Sequence, residues 1–123
     1  MEVVKFNREF HGGTINHRMA RASVIAANSE AHQRHGALLM QGGRTLAIGI
    51  NSDKNPSYLD GIHPNYSSVH AEVAATKLHA TVPNTTLYLV RLGRNGKLAD
   101  STPCPRCVEW LLWSTSVKLV IHS

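Results

Sequence analysis

The sequence predicts an α/β domain, a sheet with parallel strand pairs and helices packed on its faces, and three observations lead there. Apolar runs of strand length alternate with stretches of helical period. Two of those runs are separated only by a short segment built on a glycine pair, which is a hairpin signal. The chain has 123 residues, 42% of them hydrophobic, enough for one domain with a real core.

The elements follow in order. Residues 1–17 carry two glycines and two histidines without a clear period, and are expected to form an irregular lead-in to a single domain over 18–123. "HRMARASVIAANSE" (17–30) supports a helix, with Ala20, Val24 and Ala27 on one stripe and Ile25 beside it. "GALLM" (36–40) and "TLAIGI" (45–50) are two strands of a hairpin closed by "QGGR". Residues 51–66, "NSDKNPSYLDGIHPNY", are dense in turn formers and predict a long loop of the kind that is usually functional or mobile. A helix is expected from Ser68 to His79. "TTLYLVRL" (85–92) has a buried-strand pattern, "GRNGKLADST" is a second loop, "PCPRCVEWLLWST" (103–115) starts a third helix, and "VKLVIH" (117–122) is a last strand. The expected order is α-β-β-α-β-α-β.

Composition excludes several classes. No apolar stretch approaches the roughly 18–20 residues that span a bilayer. The opening "MEVVKFNREF" carries an early acid and no long apolar core, so a signal peptide is not expected and a cytoplasmic protein is. Two cysteines three positions apart make no disulfide framework and point to a reducing compartment and to metal or redox chemistry. The net charge of +5 favours phosphate-bearing partners, or is simply a solvated basic surface, because the thirteen Lys and Arg are scattered.

The chemistry concentrates in two short segments. "SSVHAEVAA" (67–75) places His70 and Glu72 in the first turn of the second helix. A capping box needs its acid three residues after the serine. Ala71 and His70 hold the positions after Ser68 and Ser67, so that explanation fails for Glu72, although a first-turn acid is still favoured by the helix dipole. Mid-helix residues two apart point about 200° from each other. His70 and Glu72 can therefore serve one centre only if it lies off the helix's N-terminal end.

In "PCPRC", Pro105 suits the first helical position, which makes Cys104 the N-cap and puts Cys107 in the first turn. The helix N-terminus favours thiolate. Taken alone, C-x-x-C is either a redox dithiol or half of a zinc site. With His70 the donors number three, as in catalytic zinc sites that keep one position open. Among the other histidines (His11, His17, His32, His35, His63, His79 and His122), His63 is the nearest candidate for a fourth ligand, and surface or loop positions are expected for most. Glu72 is better explained as a base beside the site.

"HAE" followed by "PCPRC" resembles the zinc-dependent cytidine/deoxycytidylate deaminase superfamily, whose signature is H-x-E…P-C-x-x-C, over about residues 20–122. The resemblance implies a three-layer α/β/α sandwich with a mixed sheet. It also implies one Zn²⁺ per chain on His70, Cys104 and Cys107, and Glu72 as the proton shuttle in hydrolysis of cytosine to uracil. By the same resemblance Asn51, at the end of "GIN", contacts the substrate sugar. The backbone N–H of Ala71 or Cys104 holds the base, and the backbone around Ser101 and Thr102 accepts from its amino group.

The substrate is left open between a nucleoside or nucleotide (cytidine, deoxycytidine or dCMP) and a polynucleotide, either cytosine in single strands or adenosine in tRNA. From another class, a non-catalytic zinc domain that binds nucleic acid is the alternative. Tyr58, His63 and Tyr66 are candidates to border the pocket. Trp110 and Trp113 are expected to pack on the sheet rather than stack a base. Arg106 either donates to a ligand sulfur or faces solvent. Arg91, Arg94 and Lys97 either meet a phosphate or form a solvated loop. Family members usually continue with a further helix and strand, so "VKLVIH" is expected to be an open edge, with Val117, Leu119 and Ile121 on one face and Val120 on the other. An open apolar edge predicts a homo-oligomer.

Overall fold

The computed structural model describes residues 1–9, 12–31, 33–52 and 70–123. The elements are β1 (Glu2–Lys5), α1 (Gly13–Ala27), β2 (Arg34–Gln41), β3 (Arg44–Ile50), α2 (Ala71–Thr76), β4 (Thr85–Leu92), β5 (Leu98–Ala99), α3 (Pro105–Ser114) and β6 (Val117–His122). They build a mixed sheet of order β1-β6-β4-β2-β3, with the two-residue β5 pairing the end of β4. β1, β6 and β4 run parallel, while β2 is antiparallel to both β3 and β4. Among the described residues no helix is long and apolar enough to cross a membrane.

Strand pleating divides the core in two. Ala37, Leu39, Leu87, Leu89 and Val120 face α2 and α3 and pack with Ala71, Ala75 and Leu111. Leu38, Met40, Tyr88, Val90 and Ile121 face the other way and pack with Met19, Ala22 and Ala26 of α1. The result is an α/β/α sandwich, as expected.

Five expectations are corrected. Glu2–Lys5 is a strand, not an irregular lead-in, because β6 offers it a parallel partner at the far end of the sequence, with Val3 beside Val120. Helix α1 likewise begins at Gly13, inside that lead-in. β1 also covers β6, so β6 is no open edge, and Val120 is fully buried. The α1 stripe is Met19, Ala22 and Ala26, whereas Val24 is 67% exposed: the 3–4 spacing fits either face, and the sheet selects the one with methionine and small residues. In β6 the register skips between Thr85 and Thr86, so Val117 joins Val120 instead of Leu119 and Ile121. A bulge of this kind reverses the face of the residue before it.

Helix α2 is also shorter than expected. It starts at Ala71 and stops at Thr76, followed by turns closed by His79 N–H to Thr76 O and Val82 N–H to His79 O. The chain then enters β4 through Pro83 and Asn84, which has φ +57°, a left-handed value that asparagine tolerates better than most residues.

Two glycines set how closely the helices lie on the sheet. A Cβ on Gly36 would come within 2.5 Å of the α1 backbone at Ala22 and Ala26. A Cβ on Gly49 would come within 2.6 Å of Ala71 O and Ala75 N in α2. Gly49→Ala must therefore push α2 off β3, and a loss of about 1–3 kcal/mol is expected, the usual range for overpacking. Gly43→Ala, where a Cβ meets nothing within 4 Å, is the control and should stay within about 0.5 kcal/mol of the parent. Equal denaturant midpoints for the two variants would contradict the close seating of α2.

Candidate active site

Two chain reversals bring the donors together on the α2/α3 side of the sheet. His70 is the N-cap of α2, with extended backbone (φ −85°, ψ 143°), and Ala71 is the first helical residue. The 200° rule for helical neighbours therefore does not apply between His70 and Glu72, and both reach one centre off the helix end. Cys104 caps α3 (φ −67°, ψ 159°), Pro105 opens it, and Cys107 lies fully buried in its first turn, as the prolines predict.

The three donor atoms lie within 4.8 Å of one another. His70 Nδ1 is 3.1 Å from Cys107 Sγ and 3.7 Å from Cys104 Sγ. Tetrahedral zinc, with bonds of about 2.0–2.3 Å, separates such ligand atoms by about 3.6–3.8 Å. The His70–Cys104 distance already matches that spacing, and the His70–Cys107 pair would have to open by about half an ångström to admit a metal ion. Proton sharing points the same way. Donation by the Cys107 thiol, together with His70, holds Cys104 down at about 3, against the ordinary value of 9.0. That same hydrogen bond, together with burial, pushes Cys107 far up. Hydrogen bonding to Cys104 raises His70.

Glu72 is 6% exposed, and burial pushes its carboxyl above the ordinary value. The neighbouring His70 and Cys107 offset part of that rise. Glu72 touches the cluster without being one of the three donors. A hydrogen-bond chain fixes its distance from α3: Trp110 Nε1 donates to Thr76 Oγ1 (2.9 Å), which donates to Glu72 O (2.7 Å).

The remaining candidates divide. Asn51 sits at the end of β3 with its amide engaged within the chain. Its Oδ1 accepts from Ser29 Oγ (2.7 Å) and His35 N–H (2.8 Å), and its Nδ2 donates to Gln33 O. One Nδ2 hydrogen is left for a ligand. Ala71 is buried at the first helical position, where its N–H has no partner within the helix. Ser101 is buried, with its hydroxyl on Leu89 O. Thr102 is exposed and bonded through N–H and Oγ1 to Asp100, whose carboxyl those bonds hold below its usual range. Tyr58, His63 and Tyr66 lie outside the described residues, as does most of the 51–66 loop.

Trp110 packs against the core as expected, but Trp113 is 84% exposed on the outer side of α3. Arg106 faces solvent. Two of the other histidines lie off the surface. His122 is buried, and His35 is half-buried on β2. Burial, then the charges of Arg91 and His70, lower His35 to about 4. Period-2 alternation in "RHGALLM" would have placed His35 on the face of Ala37 and Leu39.

By sequence, no family model and no curated protein matches the chain. By structure, the chain is similar to the dCMP deaminase of cyanophage S-TIM5, at 22% identity and TM-score 0.60, over 96% of this chain and 87% of that one. The fold is that of the cytidine deaminase superfamily. Cytidine deaminase from Mycobacterium tuberculosis is similar at 25% identity and TM-score 0.52, over 85% of this chain and 80% of that one. Guanine deaminase from Bacillus subtilis follows at 20% identity and TM-score 0.57, over 96% of this chain and 64% of that one, just under two thirds of its length. Within that fold, His70, Cys104 and Cys107 form a cluster that could hold a metal ion.

Proposed function

We propose that the chain is a zinc-dependent hydrolytic deaminase that converts cytosine to uracil, releasing ammonia, in a nucleoside or nucleotide such as cytidine, deoxycytidine or dCMP. The observation that carries the reading is Glu72, a buried carboxyl placed against a three-donor cluster to which it does not belong. A closed structural zinc site has no use for such a group, which counts against a non-catalytic zinc domain. His70, Cys104 and Cys107 would hold one zinc, which when bound supplies a Lewis acid able to bring the pKa of water from about 15.7 towards about 7.

The chain's own residues do the rest. Glu72 takes a proton from the attacking water and passes it to the ring nitrogen N3. It then delivers the second proton to the amino group, so that the C4–N bond breaks as a C4–O bond is completed. The N–H of Ala71 holds the base oxygen. The carbonyls of Ser101 and Thr102, which accept no bond from another described residue, receive the amino group. Asn51 offers its remaining hydrogen to the sugar, and His63 and Tyr66 border the pocket.

A reducing, cytoplasmic location belongs to this reading, because the two thiols must stay reduced. So does a homo-oligomer, which would cover Leu112 (50% exposed) and Trp113 on the outer side of α3. A clean monomer in sedimentation at tens of micromolar would remove that part.

The test of substrate is ammonia release from cytidine, deoxycytidine, their monophosphates, adenosine and guanine counterparts, and single-stranded oligonucleotides. Release from a cytosine nucleoside or nucleotide is expected. Release only from oligonucleotides would replace the reading with a polynucleotide deaminase, which the basic charge would suit.

A further inference from the structure

On β2, Ala37 and Leu39 pack beneath α2 and α3, so His35, two residues earlier, lies on the same face. On β4, Leu87 and Leu89 face that way, and Arg91 follows two residues on. His35 and Arg91 are register partners, side by side across the β2–β4 ladder. Arg91 Nε donates to Asp100 O (2.7 Å), on the segment that delivers Cys104. The guanidinium is thus bracketed between that segment and the His35 ring, which feels the charges of both Arg91 and His70.

Both side chains are half-buried, and neither is saturated. Among the described residues no carboxylate pairs with Arg91, its terminal nitrogens make no bond, and the His35 ring makes none. Held at Nε, the guanidinium keeps its terminal fork open to solvent, and those planar donors match phosphate. Arg94 and Lys97, on the turn beyond, are exposed and have no such seat.

We propose that Arg91, seated beside His35 on the sheet floor of the site, binds the phosphate of the substrate, so that the chain prefers a nucleoside monophosphate to the nucleoside. The inference rests on the deaminase reading.

The test is calorimetric titration of the zinc-loaded protein with two non-reacting products, dUMP and deoxyuridine. The readout is the ratio of their affinities. The parent should favour dUMP. Arg91→Ala should lower the ratio about ten- to hundred-fold, the usual effect of losing a hydrogen bond to a charged group. Arg91→Gln should do the same while keeping an amide that can reach Asp100 O. Arg94→Ala should leave the ratio in place. Equal affinities in the parent, an unchanged ratio in both Arg91 variants, or an equal collapse in Arg94→Ala would each overturn the phosphate site. Ammonia release with an Arg91-independent ratio would leave the deaminase standing without it. Arg91-dependent dUMP binding with no ammonia release from any cytosine substrate would keep the phosphate site and overturn the deaminase reading.

Discussion

Glu72→Gln should lower turnover by at least about 10²–10⁴-fold, the range that a positioned proton-transfer group contributes, with zinc content and melting temperature close to the parent. The carboxyl touches Cys107 but is not a donor of the cluster, so glutamine can keep its shape and its packing. What glutamine cannot do is accept a proton and return it. Burial raises the Glu72 pKa, which makes the group a better proton carrier near neutral pH than an exposed carboxylate would be. Loss of zinc in the variant would make Glu72 a ligand. Full activity would place the base elsewhere.

Cys107→Ala should have an equally large effect by another route. Cys107 is fully buried and its sulfur lies against both His70 and Cys104, so the variant loses a ligand that no described neighbour can replace. Zinc should fall to background on dialysis, and ammonia release with it. Zinc should also stabilise the parent, by about 4 kcal/mol when free zinc is a thousand times its dissociation constant, and the variant should lack that gain. Acid should release the metal from the parent, because histidine and thiols bind it only when deprotonated. The outcome that would sink the metal reading is a parent protein without zinc that readily forms a Cys104–Cys107 disulfide. That would make the pair a redox dithiol.

What the sequence made legible was local. The runs at 85–92 and 117–122 are strands with the expected bounds, and Pro105 placed Cys104 and Cys107 correctly on α3. These signals depend on a few neighbouring residues. What it hid depended on distant partners. "EVVK" has no marked pattern, and only β6, more than a hundred residues later, makes it a strand. The choice of stripe on α1 is made by the sheet it lies on, and the face of Val117 by a bulge opposite Thr85. At the site, the grouping of His70, Cys104 and Cys107 was readable from residue types and spacing. His35 and Arg91 were not seen as a pair, because they meet only through the β2–β4 register. The extended backbone at His70, which resolves how it and Glu72 serve one centre, follows from the cap and not from helical geometry.

The central claim is that one zinc on His70, Cys104 and Cys107 lets Glu72 deaminate cytosine by hydrolysis. It is tested most directly by titrating metal-free protein with zinc while following uracil and ammonia from a cytosine nucleoside or nucleotide. Equal amounts of the two products, rising with zinc and levelling at one equivalent per chain, are expected. Metal-saturated, folded protein that releases neither product from any substrate in the panel would contradict it.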